Sequence, residues 1–214
     1  IRDVERSRGL GDVYKRQEIY DGTSWSATNN LLNTRRSAAG AGTSTAGLII
    51  SGKVNNVSFS TSCEEFDGTC WTAGGSMSTG RNEISGCGIL TSALAYGGEN
   101  PGSTFYQVGE EYDGTTWSAG GTMSSTGRKA ACMAGSNADG AVYAGGGNDS
   151  GGLALADTYD GTAWSVISPL SQDISSGSSG LGSRNAAAVA GGYGSDALYL
   201  SLIHISEPTR PLYI

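Results

Sequence analysis

The chain is poor in what most folds are built from. Only 15% of its 214 residues are charged and 8% aromatic, and it holds 4 Pro and a single His. So little charge excludes coiled coils and charge-laced helical bundles, which spend close to half their residues on helix formers and ion pairs. The longest wholly apolar run, Leu48-Ile49-Ile50, falls far short of the roughly 20 residues a membrane helix needs, so no membrane span is expected. Cationic surplus is absent too: the net charge is −7, and phosphate contacts require clustered Lys and Arg, so no nucleic-acid partner is expected. Glycine, by contrast, is abundant at 35 residues, which points to turns and closely approaching backbones.

The two ends read differently from the middle. Asp3–Gln17 and Leu200–Ile214 can be encoded by one DNA segment read on opposite strands. The shared segment resembles the adapter of transposase-based sequencing libraries. Residues 1–17 and 200–214 are therefore expected to be translated adapter and residues 18–199 a piece of a longer repeat protein. His204 falls in the second flank, so residues 18–199 contain no histidine.

Within 18–199 one motif recurs four times: Tyr20-Asp21-Gly22-Thr23-Ser24-Trp25, Phe66-Asp67-Gly68-Thr69-Cys70-Trp71, Tyr112-Asp113-Gly114-Thr115-Thr116-Trp117 and Tyr159-Asp160-Gly161-Thr162-Ala163-Trp164. Successive Trp residues are spaced by 46, 46 and 47 positions, and Arg35, Arg81 and Arg128 follow their Trp by 10, 10 and 11. Gly52, Gly98 and Gly145 keep step, each 17 after its Arg. A fixed period of this length signals repeated supersecondary units. Each unit divides into four short strands separated by turn residues. In the second full unit these are Arg81–Ile89, Ser92–Gly97, Gln107–Tyr112 and a strand starting near Trp117. Asp-Gly between apolar strands is a strong hairpin signal, since Gly accepts positive φ and Asp bonds its own turn backbone. No sustained 3.6-residue period appears, so the fold class is all-β.

Arg81, Tyr96-Gly97-Gly98, Tyr112-Asp113-Gly114 and Trp117 together resemble the kelch repeat, and Arg128, Tyr143-Ala144-Gly145-Gly146, Tyr159-Asp160-Gly161 and Trp164 repeat the pattern. The first unit departs from it, carrying Ile50-Ser51-Gly52 in place of the double glycine. The resemblance implies a β-propeller of four-stranded blades: complete units at 35–71, 81–117 and 128–164, partial ones at 18–25 and 184–199, and further blades of the same chain missing. Arg184 is expected to open the last unit, with Tyr199 at the place of Tyr143. The adapter would then cut just before that unit's glycines. An arc left open in this way exposes an apolar blade face at each end.

Several constellations invite chemistry. Asp21, Asp67, Asp113 and Asp160 sit near Glu64-Glu65 and Glu110-Glu111, but a calcium site needs several convergent oxygens per ion, and the Asp residues are expected to form turns. A sialidase-type Asp-box fails on register, because Tyr112 occupies the place of its Asp. Arg35, Arg81, Arg128 and Arg184, which could clamp a carboxylate, are expected instead to hold each blade together. Trp25, Trp71, Trp117 and Trp164 are expected in the core. Cys63, Cys70, Cys87 and Cys132 share no repeat position and form no Cys-x-x-Cys, so no metal site is expected. They are expected to be free, packed thiols, with a Cys63–Cys70 cross-link as the alternative. Propellers of the galactose oxidase type place copper on His and Tyr, which residues 18–199 cannot supply without histidine. No cofactor and no catalytic residue are assigned.

Function is sought in what varies between units, since binding residues sit on loops of a rigid scaffold. After each glycine corner comes an irregular loop: Lys53–Cys63, Glu99–Val108 and Gly147–Ala156. Asn55, Asn100, Phe105, Tyr106, Asn148 and Asp149 on these loops offer amide, carboxylate and aromatic groups to a protein or glycan ligand. A second variable stretch, Val166–Ser183, reads as a surface loop or part of a recognition face. The expected function is a non-enzymatic binding module, of the kind found in virion- or tail-associated adhesion proteins of phages, in a virion or extracellular setting. The alternative is a fragment of a secreted glycan-active enzyme whose catalytic residues lie outside it.

Overall fold

The computed structural model describes residues 17–54, 58–194 and 197–198. Most of both flanks, together with Asn55 and Tyr199, lies outside the described residues. The chain is all-β. A first hairpin pairs β1 (Gln17–Tyr20) with β2 (Trp25–Thr28). The short β3 (Arg35–Arg36) then leads into the first complete blade.

Blade 1 is a four-stranded antiparallel meander of β4 (Ala39–Thr43), β5 (Ala46–Ile50), β8 (Cys63–Phe66) and β9 (Trp71–Ala73), with β6 (Lys53–Val54) and β7 (Ser58–Phe59) in the excursion between β5 and β8. Blade 2 comprises β10 (Ser85–Ile89), β11 (Ser92–Tyr96), β12 (Val108–Tyr112) and β13 (Trp117–Thr122). Blade 3 comprises β14 (Cys132–Asn137), β15 (Gly140–Ala144), β18 (Ala156–Tyr159) and β19 (Trp164–Val166), with β16 (Gly147–Asn148) and β17 (Gly151–Gly152) forming a small hairpin between β15 and β18. A last, partial sheet joins β20 (Ser176–Ser183), β21 (Ala186–Gly194) and β22 (Ala197–Leu198). The strands expected for the second unit coincide with β10 to β13 to within a few residues.

The first strand of each sheet packs on the first strand of the next: β4 on β10, β10 on β14, β14 on β20. This is the arrangement of a propeller seen as an open arc of three complete blades and two partial ones. These inner strands are built from small residues because the sheets approach closely. A Cβ at Gly86 would press on Ala39 and Ile50, and one at Gly180 would collide with the Met133 backbone. Cores form between sheets: Leu48, Ile50, Met77 and Tyr112 gather between blades 1 and 2, and Leu94, Tyr96, Met133, Tyr143 and Trp164 between blades 2 and 3.

Two expectations about the last unit are corrected. Arg184 does not open a blade: it is exposed in the turn between β20 and β21, where Nε donates to Thr158 Oγ1 at 3.3 Å. The hairpin-closing pairs Ile89↔Ser92 and Ser183↔Ala186 set the true register. In that register Ser175 takes the place of Arg81, and Gly191-Gly192 (φ 74° and 116°) take the place of Gly97-Gly98 (φ 66° and 83°). The glycine corner therefore precedes Tyr199 rather than following it. Val166–Ser183 is likewise no surface loop throughout, since its last eight residues form β20, the innermost strand of the fourth sheet.

Candidate functional site

Chemistry-bearing residues at repeat positions are first accounted for as structure. Arg35, Arg81 and Arg128 are buried, and each pairs with an acid on the third strand of its own blade. The pairs are Arg35 with Glu64 (2.6 Å), Arg81 with Glu110 (3.4 Å) and Arg128 with Asp157 (2.8 Å). Arg35 Nη1 also donates to the Ser51 and Ser62 carbonyls, and Arg81 Nη1 to those of Gly97 and Val108. Each acid meanwhile accepts from the linker that enters its blade: Glu64 from Leu32 N and Asn33 N, Glu110 from Ser78 N and Oγ, Asp157 from Ser125 Oγ. A buried charge survives only when paired and hydrogen-bonded, and these are both. The guanidinium groups are thus consumed inside the blades.

Neighbouring blades are also stitched together. Tyr112 Oη donates to Glu65 of the preceding blade and Tyr159 Oη to Glu111, so the second acid of each Glu pair is committed. Gly52 N donates to the Arg81 carbonyl at 2.9 Å and Gly98 N to that of Arg128 at 3.0 Å. Gly97 must be glycine, since its φ is positive and a Cβ there would collide with the Tyr143 hydroxyl. That hydroxyl donates to the Arg128 carbonyl at 3.1 Å. The departure in the first unit has the same logic: Ser51 holds φ 56°, and its own hydroxyl donates to the Arg81 carbonyl at 3.0 Å, standing in for the absent tyrosine hydroxyl.

The four motif Asp residues sit in exposed turns on the opposite edge of the blades. Asp113 Oδ1 accepts from Thr115 N and Thr116 N, and Asp21, Asp67 and Asp160 repeat this geometry. The backbone N–H three residues on is the main cause that holds all four carboxyls below the usual Asp value. Among the described residues no group of three or more His, Cys, Asp or Glu could hold a metal ion. All four cysteines are free, with Cys63, Cys87 and Cys132 buried and Cys70 exposed. Burial pushes the Cys63 thiol up to about 11 and Cys87 to about 12, so neither is a ready nucleophile.

The loops that differ between units lie on one face, between the second and third strands of each blade, beside the linkers that join blades. Here Phe105, Asn148 and Asp149 converge from two consecutive blades on a cleft of about 350 Å³, completed by Gln107, Thr126, Gly127 and Ser150. Asp149 is exposed, while Asn148 Oδ1 accepts from Ser150 N at 2.9 Å. Behind Phe105 stands a small ionic cluster: Lys129 Nζ lies 5.9 Å from the ring centroid and donates to Glu99 at 2.8 Å, and Asn82 Nδ2 donates to the other Glu99 oxygen at 2.9 Å. Burial pushes the Glu99 carboxyl up, but the bonds from Lys129 and Asn82 outweigh it and leave its pKa below the ordinary value.

Two of the candidate residues do not join this cleft. Asn100 Oδ1 accepts from Gly102 N and Thr104 N and so shapes its own loop. Tyr106 turns inward, its ring 4.3 Å from the Arg81 guanidinium carbon. Conversely, Gln107 and Ser150 lie on the loops read but were not singled out, and Thr126 and Gly127, on the linker into blade 3, were missed by reading loops alone. The signal was available, because in a four-stranded meander the linker into the next blade shares a face with the loop between the second and third strands. A second cavity of about 330 Å³ lies along the inner strands, but it is lined mainly by backbone and small side chains such as Ala39, Gly86 and Gly180.

No protein-family model matches the chain, and no curated protein matches it. Among solved structures the chain is similar to one titled "Structure of YjhT", with a TM-score of 0.70 at 15% identity, covering 87% of this chain and 69% of that one. At that identity the likeness speaks to fold alone, and it agrees with the blade arrangement above.

Proposed function

We propose that this chain is a non-enzymatic, kelch-like propeller module that binds a polar ligand, a glycan or a protein segment, through the loop face of blades 2 and 3. The observation that carries this reading is the cleft shared by Phe105, Asn148 and Asp149: it is the place where non-repeating side chains of two blades meet. An aromatic face beside a carboxylate, an amide and a hydroxyl suits a sugar or peptide, which offers apolar C–H surface next to hydrogen-bonding groups. The repeated Arg, Tyr and Glu residues are occupied with each other and leave ligand recognition to the loops. In the wider protein such a module would serve adhesion, as in phage virion or tail proteins.

The test is a glycan and peptide array screen of the 214-residue chain, followed by titration of any hit against Phe105→Ala and Asp149→Ala. Each substitution is expected to weaken binding at least tenfold while leaving unfolding unchanged. Asp113→Asn, on the opposite edge, should leave affinity intact. A hit indifferent to both cleft substitutions, or sensitive to Asp113→Asn alone, overturns the reading.

A further inference from the structure

One linker is a residue longer than the others, and the blade it enters is the one with a shortened acid. Leu31, Met77 and Met123 each follow their motif Trp by six positions and are buried alike. From there the blade arginine lies four residues on at Arg35 and Arg81, but five on at Arg128. The acid paired with each Arg stands 29 residues further along in all three complete blades, as Glu64, Glu110 and Asp157. Among these three, only blade 3 carries Asp.

Both ends of the long linker are pinned as in the short one, so the added residue bulges between them. Met77 N donates to the Thr61 carbonyl at 2.9 Å and Met123 N to that of Gln107 at 2.8 Å. At the other end the Arg81 and Arg128 carbonyls accept from Gly52 N and Gly98 N. Between these points the linkers diverge. In the short one Ser78 gives both N and Oγ to Glu110, and Thr79 Oγ1 accepts from Arg81 Nε at 3.2 Å. In the long one Ser124 Oγ donates to the Trp164 carbonyl at 2.8 Å instead. Thr126 is exposed at the cleft, and Arg128 Nε, fully buried, has no hydrogen-bond partner. The carboxylate of blade 3 is one methylene shorter, and the Ser125 hydroxyl fills the space. It accepts from Arg128 Nη1 and donates to Asp157 Oδ2. The Ser125 carbonyl serves the cleft side, accepting from Gln107 Nε2 at 2.7 Å. One residue thus joins the buried ion pair to a side chain that lines the cleft.

We propose that Ser125 is the positioning residue of the cleft between blades 2 and 3. The added linker residue and the shortened acid are two parts of one device: Asp157 leaves room for Ser125, and Ser125 holds Thr126 and Gln107 at the cleft. A glutamate at position 157 would press on the Ser125 hydroxyl. A linker without the added residue would draw Thr126 back onto Arg128, as Thr79 lies on Arg81. What the cleft accepts is therefore set from inside blade 3. The inference rests on the binding reading for the use of the cleft, whereas the linkage itself is tested without a ligand.

The test is a cycle in the 214-residue chain: Ser125 deleted, Asp157→Glu, and both changes together, which restores the pattern of blade 2. Each single change is expected to lower the thermal unfolding midpoint by about 5 °C or more, through lost contacts in one and overpacking in the other. The paired variant is expected within about 2 °C of the parent, since each change makes room for the other. By NMR its Gln107 side-chain amide should exchange with water about threefold faster or more, having lost the Ser125 carbonyl. Any hit from the array screen should bind the paired variant about tenfold more weakly. Additive losses in the cycle overturn the proposal, as does a paired variant that fails to fold or keeps the parent's Gln107 exchange. So does a hit that binds the paired variant as tightly as the parent. An array without hits removes the binding reading alone, and the cycle with the Gln107 amide still decides this one.

Discussion

The first hairpin and the third blade carry the same motif in very different surroundings. Their Tyr and Trp rings sit alike, with centroids 5.2 Å apart for Tyr20–Trp25 and 5.1 Å for Tyr159–Trp164. Both turns are capped in the same way by Asp21 and Asp160. Yet Trp25 is 68% exposed and Trp164 only 6%. The turn and the cross-strand aromatic pair are thus local products of six residues. Burial is supplied by the strands and blades on either side, and so is most of the stability.

The comparison breaks most sharply at the buried ion pairs. Arg128 and Asp157 have no side-chain exposure, so Arg128→Met strands a charge in the core and is expected to cost about 3–5 kcal/mol in denaturant unfolding. Arg128→Met combined with Asp157→Leu should recover much of that loss. Arg184→Ala, at an exposed turn, should change stability by less than about 0.5 kcal/mol. An equal cost at positions 128 and 184 would show that the register assigned to the last sheet is wrong.

Next in size come the tryptophans. Trp164→Ala removes a ring packed on Tyr96, Tyr143 and Tyr159 and should cost about 3 kcal/mol or more. Trp25→Ala should fall within about 0.5 kcal/mol of the parent. High pH separates core from ends in another way. Burial raises the Tyr143 phenol to about 12, and burial together with the Glu65 carboxylate does the same for Tyr112, against an ordinary 10.0. Burial likewise raises the Cys63 thiol to about 11 from 9.0. Because the folded state favours the protonated forms, their stabilising contribution is complete below pH 9 and is lost as pH climbs toward 12. Unfolding followed by circular dichroism should therefore show a falling midpoint across that window. A flat profile there would contradict the burial of these groups. A smaller loss than those at Arg128 and Trp164 concerns one hydroxyl: Tyr112→Phe loses the bond to Glu65 and should cost about 1 kcal/mol, making this position like Phe66 in blade 1.

Where the sequence carries local turn chemistry, the fold could be read directly. Asp-Gly turns, the spacing of Trp and Arg, and the double glycines locate β10 to β13 and the three complete blades. The fourth sheet was misread because its inner strand, Ser176–Ser183, contains one large apolar residue, Leu181, and no opening Arg, so nothing local distinguishes it from a loop. It is a strand because β14 packs against it, leaving no room for a side chain at Gly180. The candidate cleft was half legible. Phe105, Asn148 and Asp149 stood out by failing to repeat, but Tyr106 looked equivalent to Phe105 until its ring was seen on Arg81. Which of two adjacent aromatics faces the core is decided by the neighbouring Arg, not by either residue's own propensity.

The most direct test of the account is residue-resolved amide hydrogen exchange. Backbone groups in β11 and β15, buried in blades 2 and 3, should exchange only through global unfolding. Those in β1 and along Ala186–Ala188 of β21 should exchange orders of magnitude faster. Uniform protection from β1 through β21 would contradict the account, in which burial between blades rather than the local turn motif supplies the stability.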